Sequence, residues 1–485
     1  ASADNATVKV DGSNLTITAG GTYRLNGNLA DGQVIVDADD GQVVRLILDN
    51  VEISSSTSSP LYVANAEKVV LILAENSRNV FSDADNYIYS NPEDKEPNAV
   101  LFSTANLSVY GNGELTINAN FNDGIASKDG LLIAGGIITV SAVDDGIRGK
   151  DYVVIKDGTI EVTATGDGLT ADNEEDTGLG YILIENGELK ITSGGDAISA
   201  KTAVEVNNGI LNLASGGGSG TGLDENLSAK VINVLTSVVI NGGNLSINSA
   251  DDSLHSNEEI IINNGTLQLA SGDDGMHADT SLTVNDGEIV VSQSYEGLES
   301  ALVTINGGTV HINANDDGIN VASGVDGSGG MFGGRPGGGP GAGPGQDMFA
   351  EGGDYYLYIN GGYVVVNAEG DGIDSNGGIV MTNGIVLVNG PTNNGNGAFD
   401  YMSNFSISGG LLVAVGSAGM AQAPSAESAQ NSVLINLDSP LAAGTIIDIQ
   451  AGSHCTISWI TADWPQGSRI GFRTASSSCA RKARS

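Results

Sequence analysis

A short step of aspartate, glycine and an aliphatic residue recurs along this chain, at Asp123-Gly124-Ile125, Asp145-Gly146-Ile147, Asp167-Gly168-Leu169, Asp274-Gly275-Met276, Asp317-Gly318-Ile319 and Asp371-Gly372-Ile373. From 123 to 145 to 167 the spacing is 22 residues, and Asp252, Asp274 and Glu296 repeat it. Degenerate copies at Asp196-Ala197-Ile198, Asp252-Ser253-Leu254 and Glu296-Gly297-Leu298 fill the gaps. A second series of turns keeps the same step, among them Asn186-Gly187, Asn208-Gly209, Asn264-Gly265 and Asp286-Gly287. A fixed period in this range marks one supersecondary unit stacked on its copies, because a single unit cannot bury its own apolar face.

Between the turns the segments are short and alternate apolar with polar, as in Thr159-Ile160-Glu161-Val162. That is the period of a strand, and no amphipathic run is long enough for a helix. Three strands per repeat, each paired with its copy about 4.8 Å away, predict an all-β fold, a right-handed parallel β-helix with about 22 residues per coil. Roughly fifteen coils would make a body on the order of 70 Å long. Inward Ile, Leu and Val would stack in ladders, with Gly and Asn at the corners.

The departures divide the chain into three parts. Residues 1–100 carry longer, less regular strands and are expected to cap the solenoid; residues 101–415 are the regular β-helix. Within it an acidic insertion, Asp172-Asn173-Glu174-Glu175-Asp176, stretches one spacing, and a Gly/Pro-rich insertion at 324–354 stretches another and is expected to be held against the body. Residues 416–485 form a C-terminal cap and an atypical tail, which holds both Trp and both Cys. No apolar run reaches the roughly 18 residues of a membrane-spanning helix, and the chain starts without a signal core, as a processed, secreted or cell-surface protein would.

Composition matters through charge. The 485 residues hold 59 acidic and 19 basic side chains, a net charge of -40, which argues against binding to nucleic acid or anionic lipid. Stacked in register, Asp123, Asp145 and Asp167 form one column of carboxylates. Neighbours about 4.8 Å apart would repel by about 3.5 kcal/mol at an effective dielectric near 20. Between 231 and 450 Arg335 is the one basic residue, so three offsets remain there: backbone N–H groups in each turn, raised carboxyl pKa values, or divalent cations.

A lone Asp before Gly commonly accepts backbone hydrogen bonds. The doublets Asp144-Asp145, Asp251-Asp252, Asp273-Asp274 and Asp316-Asp317 add a carboxylate that a turn does not require, an oxygen donor of the type Ca²⁺ prefers. Candidate metal ligands are therefore Asp123, Asp144, Asp145, Asp167, Asp172, Glu175, Asp273, Asp274, Asp316, Asp317 and Asp371. His255 and His277 hold equivalent positions after the Asp column; a transition-metal pair and exposed turn histidines are the two readings, and the second is preferred. No nucleophile elbow, P-loop or dinucleotide fingerprint occurs.

The strings Phe121-Asn122-Asp123-Gly124-Ile125-Ala126-Ser127-Lys128, Val143-Asp144-Asp145-Gly146-Ile147-Arg148-Gly149-Lys150 and Gly166-Asp167-Gly168-Leu169, with Gly-Gly-Met-Phe-Gly-Gly at 329–334, resemble the secreted carbohydrate-binding β-helix proteins of cellulolytic clostridia. That family is similar in fold to pectate lyases of polysaccharide lyase family 9. The resemblance implies calcium sites and binding to cellulose and acidic pectin, with Asp123, Asp144 and Asp145 matching three calcium ligands of the lyases. Arg148 stands where their last aspartate would be. A lyase would also need a base, for which Lys128 and Lys150 are candidates, although a neighbouring Asp would keep either lysine charged.

Three functions follow as expectations. The first is a non-catalytic, calcium-dependent binder of plant or cell-wall polysaccharide, with Tyr355, Tyr356, Tyr358 and Tyr363 as a stacking platform for sugar. The others are a calcium-dependent pectate lyase and a self-associating surface fibre or adhesin built by end-to-end or lateral contacts.

Overall fold

The computed structural model describes residues 7–223, 228–322 and 355–437, except 40, 90, 92 and 94, together with 439–440 and the strand backbones Ile446–Gln450 and Thr456–Ile460. The Gly/Pro-rich insertion at 324–354, Arg335, both Cys and Trp464 lie outside the described residues.

Among the described residues every regular element is a strand. One sheet has sixteen strands, a second has twenty-six, and Ile446–Gln450 pairs antiparallel with Thr456–Ile460 apart from both. Apart from Val8–Asp11 on Asn14–Ile17, all pairings within the two large sheets are parallel. The register gives the spacing a physical meaning: Leu254 faces Met276, Ile260 faces Leu282 and Leu267 faces Ile289, each 22 residues on. Each repeat, or rung, contributes three strands. A first column holds three-residue strands such as Leu254–Ser256 and Met276–Ala278; a second holds Glu259–Ile262 and Ser281–Val284; a third holds Thr266–Ser271 and Glu288–Gln293. The long strands Gly130–Ala142 and Tyr152–Ala164 run through the second and third columns without a break, which joins these two columns into one sheet.

Alternation decides which side chains enter the core. In Glu259–Ile262 the residues Ile260 and Ile262 are buried and Glu259 and Ile261 are half-exposed. One apolar cluster runs unbroken from Ile17 to Ile407, so strands before residue 100 share the core of those after it. Each fully buried aliphatic side chain contributes about 1.5–3 kcal/mol relative to exposure.

The turn between second and third columns shows why glycine recurs. Gly187, Gly209, Gly243, Gly265 and Gly287 all take positive φ, and a Cβ on Gly265 would lie 3.1 Å from the Gly243 carbonyl oxygen of the rung below. Just before this turn stands a column of stacked amides. Asn241 Nδ2 donates to Asn207 Oδ1 at 2.7 Å, Asn263 to Asn241 at 2.7 Å, Asn285 to Asn263 at 2.8 Å and Asn306 to Asn285 at 2.8 Å. Corner asparagine thus acts here through its side chain; the positive φ belongs to the glycine.

Candidate functional site

The turn that leads from the third column into the first carries the acidic residues. Asp123, Asp145, Asp167, Asp196, Asp252, Asp274, Glu296, Asp317 and Asp371 occupy it rung after rung, and Asp123, Asp196, Asp252 and Asp274 are buried. Several rungs supply a donor to the carboxylate of the one before. The Asp167 N–H donates to Asp145 Oδ1 at 2.9 Å, that of Asp196 to Asp167 at 2.8 Å, that of Asp274 to Asp252 at 3.0 Å and that of Glu296 to Asp274 at 3.1 Å. The offset by backbone N–H groups is therefore present at Asp145, Asp167, Asp252 and Asp274, whereas Glu296 accepts from the Asn320 side chain.

Burial still disfavours the charges. Asp123 is pushed up to about 7 by burial and by Asp145, and Asp167 to about 7 by burial and by Asp196. Asp371 rises to about 6 through burial, and Asp274, Glu296 and Asp317 are held well above the usual carboxylate range, burial first and neighbouring carboxylates next.

A second column, not seen in the sequence, stands beside the first. The middle residue of each first-column strand projects over the acidic turn: Arg148, Thr170, Ser199, Asn233, His255, His277, Glu299 and Asn320 lie in one register line. Most are hydrogen-bond donors to a carboxylate. Asn233 Nδ2 donates to Asp196 Oδ2 at 2.6 Å, Asn320 Nδ2 to Glu296 Oε2 at 2.7 Å, and His255 Nδ1 lies 2.9 Å from Asp252 Oδ2. The readable signal is a donor three residues after the ladder acid, as in Asp252-Ser253-Leu254-His255.

Basic side chains also enter the ladder. Arg148 Nη1 lies 4.0 Å from Asp123 Oδ2 while Nη2 is bonded to Asp172. Lys230, one residue outside the stretch poor in basic residues, takes the place of the ladder acid in its rung, and its Nζ lies 2.8 Å from Asp251 and 2.9 Å from Asp252.

The sequence candidates separate into groups. In the acidic insertion, Asp172 pairs with Arg148, Glu174 with Lys201 at 2.7 Å and Glu175 with Lys150 at 3.6 Å. Lys128 pairs with Glu96 at 2.6 Å. Asp144 and Asp145 converge: a Cβ placed on Gly166, one rung on, would sit 2.7 Å from Oδ1 of each. Asp316 and Asp317 converge in the same way, and closer, on Gly370. Among the described residues, three-ligand groups with donor atoms within 4.8 Å of one another occur at Asp251, Asp252 and Asp273, at Asp252, His255 and His277, and at Asp274, His277 and Glu299. The preferred expectation for the two histidines, exposed turn residues, is corrected: both are buried, His277 completely, because the register line they occupy lies against the acidic turn and not in it.

The four tyrosines do not make one platform. Tyr356 and Tyr358 alternate on the outer face of Tyr356–Ile359 with rings stacked at 5.5 Å; Tyr363 packs on His311 in the third column, and Tyr355 lies against the core. A shallow groove of about 590 Å³ runs along the glycine turns, lined by Asn112, Asp157, Asn186, Asn208, Ile137 and Ile210 among others.

The pattern of the family described as carbohydrate-binding domain-containing protein matches residues 11–275 and 302–455. A carbohydrate-binding domain-containing protein of Acetivibrio thermocellus is 44% identical over 126 residues, 26% of this chain and 44% of that relative, so the match spans less than half the relative's length. A solved polysaccharide lyase-like protein from C. thermocellum, a gadolinium derivative, is 33% identical with a TM-score of 0.41, covering 50% of this chain and 89% of the other. No helix among the described residues is long and apolar enough to cross a membrane.

Proposed function

The chain belongs to the carbohydrate-binding domain-containing family, and from that premise we propose that it is an extracellular protein that holds plant or cell-wall polysaccharide through bound Ca²⁺ without cleaving it. The polymer is acidic, of the polygalacturonate type, and cellulose is the second ligand. The supporting fold is a right-handed parallel β-helix, the hand that parallel crossovers favour.

The convergence of paired carboxylates on a glycine carries this reading. At Gly166 and Gly370 the next rung places no side chain over the doublet, whereas Asp273 and Tyr295 stand at the equivalent positions over the other two doublets. Two converging carboxylate oxygens fit part of a shell of 6–8 oxygens, and leave the remaining positions to water and to a sugar carboxylate. A cation held so would bridge an acidic protein to an acidic polymer that it otherwise repels. Binding without cleavage accords with the ion pairs that engage both candidate bases, Lys128 with Glu96 and Lys150 with Glu175.

The test is retention on immobilised polygalacturonate with calcium and after chelation, with product absorbance followed in parallel. Retention that needs calcium and no unsaturated product are expected. Retention indifferent to chelator would remove the bridge, and a rising absorbance would make the protein a lyase.

A further inference from the structure

The best-formed ligand set in the molecule is not among the doublets. It surrounds His277, on the first-column strand Met276–Ala278. The imidazole is 0% exposed, with Nδ1 3.2 Å from Asp274 Oδ2 and 3.1 Å from Glu299 Oε2. A ring nitrogen carries at most one hydrogen, so Nδ1 satisfies one of these carboxylates and leaves the other facing a lone pair or a shared proton. The opposite nitrogen, Nε2, is buried and has no hydrogen-bond partner; Asp279 Oδ1 lies 3.3 Å away but outside hydrogen-bond geometry.

Glu299 sharpens the anomaly. Its neighbours in the register line, His277 below and Asn320 above, bring donors to the acidic turn, while Glu299 brings another acid to a place where it is itself buried. Asn320 Oδ1, one rung above, is a second buried atom without a partner. Lys230, the basic side chain on this stretch of the ladder, is committed to Asp251 and Asp252. Three carboxylates, those of Asp274, Glu299 and Asp279, therefore converge on one imidazole that can carry a single positive charge.

We propose that Asp274 Oδ2, His277 Nδ1 and Glu299 Oε2 are the protein ligands of one divalent transition-metal ion of the zinc or manganese class, distinct from the calcium sites proposed above. The three donor atoms already lie within 4.8 Å of one another. A nitrogen among two carboxylates selects for zinc-like ions over Ca²⁺, which takes oxygen. Metal on Nδ1 puts the ring proton on Nε2, which faces Asp279 Oδ1 at 3.3 Å. That is the carboxylate–histidine–metal arrangement in which an outer carboxylate fixes the tautomer, and it gives the unpartnered nitrogen a role. His255, whose ring centroid lies 5.0 Å from that of His277, remains with Asp252 on the rung below.

The proposal does not depend on polysaccharide binding. The full chain, stripped with chelator and returned to chelator-free buffer, is titrated with Zn²⁺ by calorimetry in excess Ca²⁺, and with Co²⁺ by visible absorption. One Zn²⁺ per chain that calcium does not displace, with ligand-field bands from Co²⁺, is expected. Asp279→Asn should weaken Zn²⁺ by roughly 10–100-fold while the folded signal is kept, as removal of an outer-shell partner does. Glu299→Gln, similar in shape and without charge, should weaken it further. No zinc binding, displacement by calcium, or unchanged binding in Glu299→Gln would overturn the assignment. Retention on polygalacturonate, measured on the same samples, keeps the two readings separate, since either can fail alone.

Discussion

Lys230 Nζ lies 2.9 Å from Asp252 Oδ2, and the lysine occupies the ladder position that an acid fills in the rungs on either side. Both side chains are nearly enclosed, 12% and 2% exposed. Burial works against the lysine's charge, yet Asp252 and Asp251 hold it above its ordinary range; burial likewise works against Asp252, and Lys230 holds that carboxyl below its own. One cation therefore divides the ladder into a lower run ending at Asp196 and an upper run beginning at Asp252.

Lys230→Met keeps most of the volume and removes the charge. Breaking an enclosed pair from one side leaves an uncompensated carboxylate, and a loss of about 3–5 kcal/mol is expected in denaturant unfolding. Adding Asp252→Asn should recover part of that loss. If Lys230→Met alone unfolds at the wild-type denaturant concentration, the pair is not what compensates the ladder there.

Stability of the chelated protein should fall as pH rises. Asp123 and Asp167 titrate at about 7 and Asp371 at about 6 when folded, against about 3.9 for an unfolded aspartate. The native state thus binds more protons than the unfolded chain between these values, so unfolding free energy decreases as pH rises from about 4 through about 7. Thermal unfolding across that range in chelator measures this. Calcium should raise the melting temperature most at the alkaline end; a melting temperature that increases with pH in chelator would contradict the burial of these carboxyls.

Gly370→Ala would set a methyl group against Asp316 Oδ1, Asp317 Oδ1 and the Asp316 backbone. Overpacking of this kind costs about 1–3 kcal/mol, and calcium titration should show one fewer ion bound. Asp317→Asn, which keeps the shape and removes one charge, should lose the same ion with little loss of stability in chelator. Unchanged calcium stoichiometry in both variants would place the ions elsewhere.

The amide column and the apolar core should respond differently. Asn285→Ala removes one link between Asn263 and Asn306 at an exposed corner, with an expected cost of about 0.5–1.5 kcal/mol. Ile260→Ala, at a fully buried position of the second column, should cost about 2–5 kcal/mol. Equal losses for the two would mean that the amides, and not the apolar ladders, dominate the stacking.

Much of this architecture was legible because spacing and register are the same quantity: 22 residues between Asp252 and Asp274 in the sequence became His255 opposite His277 in the sheet. Strand alternation in Thr159-Ile160-Glu161-Val162 likewise marks its inward residues, since Ile160 and Val162 are the buried ones. What alternation could not say is what an outward side chain meets. His277 points away from the apolar core and is nevertheless enclosed, since the acidic turn and Glu299 close around it. Lys230 is not marked in the sequence, because its rung lacks the Asp-Gly step of the others, and the backbone bonds from Ala197 and to Asp252 set its place in the column. Charge counted over the whole chain suggested a shortage of cations; the structure shows where the few present are placed.

Where a backbone N–H of the acidic turn donates to a ladder carboxylate, it comes from the later rung, as at Asp145, Asp167, Asp252 and Asp274. A polypeptide made from its N-terminus therefore reaches each of these aspartates before the residue that donates to it. At these four positions each new rung gives a backbone donor to the carboxylate before it and adds a carboxylate of its own, so a chain cut short there ends on one that lacks this bond.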